Sequence, residues 1–136
     1  MSGAAEQEVV ELFVVGAHLV GQPLVWQLTD RRSTLRGPAR TAAAYRLVAL
    51  VTDPPKPGLL RVPTGGAAID GERWSVPVGA FGSFVAGIPS PLTIGKVELD
   101  DGALVCGFLC EAWAAEGALD ITAFGGWRRY LAARQG

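Results

Sequence analysis

One histidine, one methionine and two cysteines are all that 136 residues hold of those types, and only 18% of the chain is charged. Each scarcity removes a class of function. A lone imidazole and two thiols form no ligand set of the zinc kind, so no metal and no cofactor is expected. Cys106 and Cys110 fall in "CGFLC", an extended stretch in which four residues span about 13 Å, too far for a bridge. They read as small buried hydrophobes. An excess of one charge is missing too: 12 Lys and Arg face 13 Asp and Glu, a formal net charge of −1. That balance gives none of the field needed to hold a phosphate backbone, so no nucleic-acid partner is expected. The longest apolar runs, "ELFVVGAHLVG" and "RLVALV", are far shorter than the roughly 20 residues of a membrane-spanning helix. The first residues are acidic rather than basic. These absences predict a cytoplasmic protein with no membrane partner.

What the chain has in plenty is punctuation. Eighteen glycines and nine prolines cut it into short segments, which predicts many brief strands rather than a helical bundle. "VELFVVG" is β-rich and ends at Gly16. "AYRLVALVT" sets Tyr45, Leu47, Ala49 and Val51 on one face against Arg46 on the other. After "DPPKPG" come "LLRVP" and "GGAAIDGERWSVP", the latter with Glu72 and Trp74 on one face and Arg73 opposite. Val78, Phe81, Phe84, Val85 and Ile88 recur at three- and four-residue intervals, the period of a helix that Pro89 and Pro91 would stop. "DDG" marks a hairpin inside "LTIGKVELDDGALVCGFLCEAWA". "DITAFGGWRRYLAARQG" offers Asp120 or Thr122 as an N-cap and Trp127, Tyr130 and Leu131 as an apolar stripe. It also places Arg128, Arg129 and Arg134 toward a favourable C-terminal pole. The four tryptophans, Trp26, Trp74, Trp113 and Trp127, read as core and rim residues rather than a base-stacking platform. The fold class is α+β: a closed or nearly closed antiparallel barrel with two or three small helices. Residues 1–8 are expected to be a flexible N-terminus and residues 9–136 a single domain.

Seven blocks in order, "LFVVGAHLVGQPL", "YRLVAL", "PPKPGLLRV", "GGAAIDGERW", "IPSPLTIGKVEL", "GFLCEAWA" and "DITAFGGWRRYLA", span residues 11 to 133. Together they resemble the C-terminal domain of allophanate hydrolase. The resemblance implies a γ-glutamylcyclotransferase-like mixed β-barrel whose first strand runs into a glycine-containing loop that cups a carboxylate with backbone amides. It sets Gly16, Ala17, His18 and Leu19 in that loop, where consecutive N–H groups make an anion nest. In the family an amidase domain precedes this one and leaves N-carboxycarbamate for it to decarboxylate. The chain carries no amidase part and no Ser-Lys signature, so a freestanding relative is expected. The cyclotransferases place a general-base glutamate near the segment written here "AGIPSPLTIG", which contains no acid.

The implied catalytic group is His18, whose imidazole titrates in the range a proton donor or acceptor needs. The plainer alternative is a histidine that caps a turn or bonds a carbonyl. Arg46 and Lys56 fall in matched blocks and are the candidate cations for an anionic guest; a solvated surface role stands beside each. Tyr45 is either a phenolic donor or a core aromatic. Gln22, with Pro23 at the first turn of a helix, would direct its amide to the ligand. Glu72 and Glu111 are substitute bases or solvent-facing acids.

The function expected from the resemblance is decarboxylation of N-carboxycarbamate or a similar small urea-derived dianion, with His18 as general acid/base. Gly16, Ala17, Leu19, Gln22, Tyr45, Arg46 and Lys56 would bind the substrate. Two alternatives stand beside it: a non-catalytic binding or assembly module that pairs with an amidase subunit or as a homodimer, and a γ-glutamylamine-type cyclotransferase.

Overall fold

β1 (Val9–Val14) opens the computed structural model, which describes residues 8–135, and a loop of successive turns carries the chain to α1 (Trp26–Thr29) and β2 (Thr34–Arg40). β3 (Tyr45–Leu50) and β4 (Lys56–Arg61) form a hairpin, and β5 (Asp70–Pro77) runs straight into α2 (Val78–Ala86). β6 (Leu92–Glu98) and β7 (Leu104–Cys110) form a second hairpin. α3 (Ala112–Ala115), the two-residue β8 (Leu119–Asp120), a 3-10 turn (Thr122–Phe124) and α4 (Trp127–Gln135) complete the chain. The expected flexible stretch over 1–8 lies outside the described residues except for Glu8, whose carbonyl accepts the Val78 N–H at 3.0 Å.

The architecture is α+β, as expected, but the sheets do not close into a barrel. One sheet has the order β2-β5-β1-β7-β6 and the other β4-β3-β8. Nor is the pairing all antiparallel, because β1 runs parallel to β7 while lying antiparallel to β5. At one end the edge strands β2 and β6 approach through a single bridge, Thr41 to Leu99, flanked by Ala42 N–H to Glu98 O at 2.9 Å. The ladder goes no further. β2 carries Pro38, which has no N–H to donate, and its register against β5 breaks between Leu35 and Gly37.

Local reasons account for most elements. In α2 the apolar period turns Phe84 into the core, with Phe81 and Ile88 packed against it. The β6–β7 turn needs Gly102, whose φ of +88° is costly for a side-chain-bearing residue. Trp127 and Tyr130 bury the inner face of α4. Arg128 and Arg129, however, occupy its first turn rather than its C-terminal pole, and only Arg134 lies in the last turn. They pair instead with the carboxylates of Glu72 and Asp70, at 2.9 and 3.0 Å. Asp120 accepts the Thr122 N–H at 2.9 Å at the start of the 3-10 turn, away from α4. β3 is the central strand of its sheet, with Tyr45, Leu47, Val48 and Leu50 buried, and Val51, expected on its apolar face, lies beyond it in solvent. Trp74 and Trp127 are core residues, while Trp26 and Trp113 are exposed. Among the described residues no helix is long and apolar enough to cross a membrane.

Candidate functional site

The site begins where β1 ends. A Cβ at Gly16 would overlap the ring of Pro57, so only glycine lets the chain leave β1 this close to the start of β4. The chain then folds on itself: Leu19 N–H donates to Gly16 O at 3.0 Å, Leu24 N–H to Ala17 O at 2.8 Å and Gln22 N–H to Leu19 O at 3.0 Å. The N–H groups of Ala17 and His18 have no intramolecular acceptor among the described residues. Two adjacent unpaired amides are the donors that an anion nest requires.

His18 is 5% exposed. Its ring stacks on Phe108 with centroids 4.8 Å apart, meets Phe84 edge-on at 5.3 Å, and puts Nε2 2.7 Å from Gln27 Oε1. Burial pushes the imidazole pKa below its ordinary value; the hydrogen bond to Gln27 opposes that shift and the nearby Lys56 cation adds to it. Lys56, at the head of β4, is equally buried. Its ammonium donates to Pro54 O at 3.4 Å and has no ion pair among the described residues. His18, Gln27, Asp53, Lys56, Leu92 and Phe108 share one cavity of about 190 Å³. Gly16 and Ala17 do not line it; they line a separate cleft of only about 10 Å³ that shares His18, Lys56, Leu92 and Phe108 with it. A neutral imidazole, an unopposed ammonium and free amides around apolar walls make a receptacle for a small anion that also needs a proton moved.

The structure therefore brings Gly16, Ala17, His18 and Lys56 together and leaves the other sequence candidates elsewhere. The Leu19 N–H is spent on Gly16 O, and its side chain is core. Gln22 does not start a helix: Pro23 lies in the turn, α1 begins at Trp26, and Gln22 is outside the cavity. Tyr45 is fully buried, and its hydroxyl accepts the Glu98 N–H at 2.9 Å. Arg46 sits on the outer side of β3, 3.2 Å from Asp120 Oδ2. Of the candidate acids, Glu72 is buried under Val20, Trp74 and Arg128, and Glu111 is exposed with Ser90 Oγ donating to it at 3.2 Å. Neither lines the cavity; the carboxylate that does is Asp53.

Sequence reasoning passed over two lining residues. Gln27, a lone polar side chain on the short α1, had no signal in the spacing of the chain. Asp53 had only its place in a proline-rich turn, which carries no chemical meaning of its own.

The model of the allophanate hydrolase C-terminal domain family matches residues 10–132. The chain belongs to that family. Urea amidolyase of Saccharomyces cerevisiae is 45% identical over 127 residues, which are 90% of this chain and 7% of that protein. The domain thus spans a small part of that relative. The solved structure of Kluyveromyces lactis allophanate hydrolase superposes with a TM-score of 0.88 at 45% identity, covering 93% of this chain and 21% of that one. A uropathogenic E. coli-specific protein aligns at 35% identity with a TM-score of 0.85, over 91% of this chain and 96% of its own. A γ-glutamyl cyclotransferase, at 15% identity and a TM-score of 0.53, shares the fold alone. The family resemblance read from the seven blocks is borne out, and so is the cyclotransferase-like fold, barrel closure excepted.

Proposed function

We propose that this allophanate hydrolase C-terminal-type domain decarboxylates N-carboxycarbamate, or a similarly compact urea-derived dianion, in the cytoplasm. The observation that carries the proposal is that His18 and Lys56 line both the cavity and the narrow cleft that Gly16 and Ala17 line, beside a loop whose Ala17 and His18 amides are unpaired among the described residues. One carboxylate rests on the amides and Lys56; the other leaves as carbon dioxide. The electron pair of the breaking C–N bond stays on nitrogen, which takes a proton from His18, whose imidazole, neutral in the free protein, takes one up from solvent when the dianion binds beside it, giving carbamate. Dianion plus proton gives carbon dioxide plus monoanion, so atoms and charge balance. An acid/base group so placed contributes on the order of 10² to 10⁴ in rate, and the fixed donors lower the barrier further.

The test is carbon dioxide release from enzymatically generated N-carboxycarbamate. Wild type is expected to exceed buffer and His18→Ala to match buffer; equal rates for the two proteins would overturn the assignment. The cyclotransferase alternative needs a carboxylate base, for which Asp53 is the lining acid in place of Glu72 or Glu111.

One observation favours a second role, assembly with an amidase subunit or as a homodimer. A groove of about 910 Å³ runs along β3, α3 and β8, and Val51, Trp113 and Leu119 beside it are 104%, 64% and 59% exposed. Uncovered apolar surface of that kind favours association. Size-exclusion chromatography distinguishes a monomer, which opposes the homodimer, and a pull-down with an amidase tests the heteromeric form.

A further inference from the structure

We infer that Gln27 is a positioning residue that locks the hydrogen of His18 on Nε2, so that the proton gained and lost in the reaction is carried by Nδ1. The inference rests on the decarboxylase proposal for its chemistry but not for its geometry. Gln27 Oε1, the atom 2.7 Å from Nε2, can only accept a hydrogen bond. With Oε1 turned to it, Nε2 carries the hydrogen whether the ring is neutral or charged. Exchange of a proton is left to Nδ1, as in other histidines whose second nitrogen is held by an orienting group.

The surroundings leave the ring little choice. Phe108 covers one face and Phe84 abuts it edge-on. Gln27 comes from α1, Lys56 from the head of β4 and Asp53 from the turn before it, and all three line the cavity with His18. Arg31 lies over the Phe84 ring, 5.8 Å from its centroid. Nδ1 makes no hydrogen bond among the described residues, yet it is not one of the side-chain atoms sealed away without a partner. Nδ1 is the ring nitrogen that Gln27 leaves free. One ring nitrogen is anchored to Gln27 and the other has no hydrogen bond among the described residues.

Because His18 is the only histidine in the chain, the ¹⁵N-labelled 136-residue chain gives a single imidazole spin system, and its long-range proton–nitrogen correlations name the tautomer directly. Wild type at neutral pH is expected as the Nε2–H form. Gln27→Leu is expected to release the lock and give a mixed or inverted population. Gln27→Glu, which keeps an acceptor, is expected to hold the Nε2–H form while moving the His18 titration upward. An Nδ1–H tautomer in wild type, or a tautomer unchanged by Gln27→Leu, would overturn the inference. If Gln27→Leu does not fold, the wild-type spectrum and Gln27→Glu still decide. Malonate, with a methylene in place of the substrate nitrogen, is then titrated in. Perturbation of Nδ1 with Nε2 unmoved supports the assignment, and the reverse opposes it. Failure of malonate to bind counts against the decarboxylase proposal while leaving the tautomer result standing, so the two fail separately.

Discussion

Glu72 and Arg128, 56 residues apart in the chain, meet at 2.9 Å, and both hold the loop that carries His18. Val20 N–H donates to Glu72 Oε1 at 3.0 Å, and Arg128 Nη2 donates to Val20 O at 2.7 Å. Trp74 Nε1 adds a third donor to the same carboxylate at 3.3 Å. A two-residue stagger on β5 set Glu72 and Trp74 on one face, and the fold turned that face toward the loop. Neither residue reaches the cavity.

Removing this tie is expected to loosen the loop. Glu72→Ala leaves the Val20 N–H and the buried Trp74 Nε1–H without their acceptor, at a cost of about 1–3 kcal/mol. Thermal denaturation reads the loss of stability, and hydrogen exchange at the Val20 amide reads the local opening. Unchanged protection at Val20 would show that the turn bonds among Gly16, Ala17 and Leu19 suffice without it.

The buried imidazole makes stability depend on pH with a definite sign. Burial lowers the folded-state pKa of His18 below its ordinary 6.5, so between the two values the unfolded chain binds the extra proton and stability rises with pH. The contribution is complete above the unfolded value and is lost as pH falls toward the folded one. Melting curves from about pH 7.5 to about pH 5.5 are expected to show a falling Tm in wild type and a flatter dependence in His18→Asn. Asp120, whose carboxyl is held low by hydrogen bonds from Thr122, titrates below this window and leaves it undisturbed.

Period and punctuation carried most of the fold. β3, β5, α2, the β6–β7 hairpin and α4 were all legible, because each pairs an apolar repeat with a glycine or proline at its end. β2 was not, since "TLRGPAR" has neither repeat nor apolar face; it is an edge strand that β5 recruits. Barrel closure was not legible because it depends on what the strand edges meet. At the site, Gly16, His18 and Lys56 were found through neighbouring glycine or proline and the family blocks. Gln27 and Asp53 arrive from α1 and from the turn before β4 by tertiary packing, which no spacing along the chain encodes. Tyr45 and Arg46 misled for the same reason: a strand's alternation says which residues are inward, not which end of the molecule they serve.

Gly16→Ala tests the close approach on which the narrow cleft depends. The new methyl would overlap Pro57, and relief requires the backbone of one segment to move. The expected cost is about 1–3 kcal/mol in stability, together with weakened malonate affinity, measured by calorimetry on the folded variant. Stability lost with affinity intact would place the anion away from this loop.

Tyr45→Phe separates core from site. It deletes the hydroxyl that accepts from Glu98 N–H and leaves that amide without its partner, which is expected to cost about 1 kcal/mol. Dianion binding is expected to stay at the wild-type value. A drop in affinity would mean that the far end of β3 reports on the cavity through the sheet.

Lys56→Met is the sharpest test of charge. The thioether keeps the apolar stem that packs at the head of β4 and removes only the ammonium. No carboxylate is paired with Lys56 among the described residues, so its deletion strands no buried anion, and the fold is expected to be as stable as wild type or more so. A hydrogen bond to a charged group is worth about 1.5–3 kcal/mol, which corresponds to a loss of roughly 10- to 150-fold in malonate affinity. The same substitution takes away the cation that helps keep His18 neutral, so the His18 titration is expected to move upward. A loss of affinity together with that upward movement places both groups around one guest; a titration that moves while affinity holds would put the anion beyond reach of Lys56.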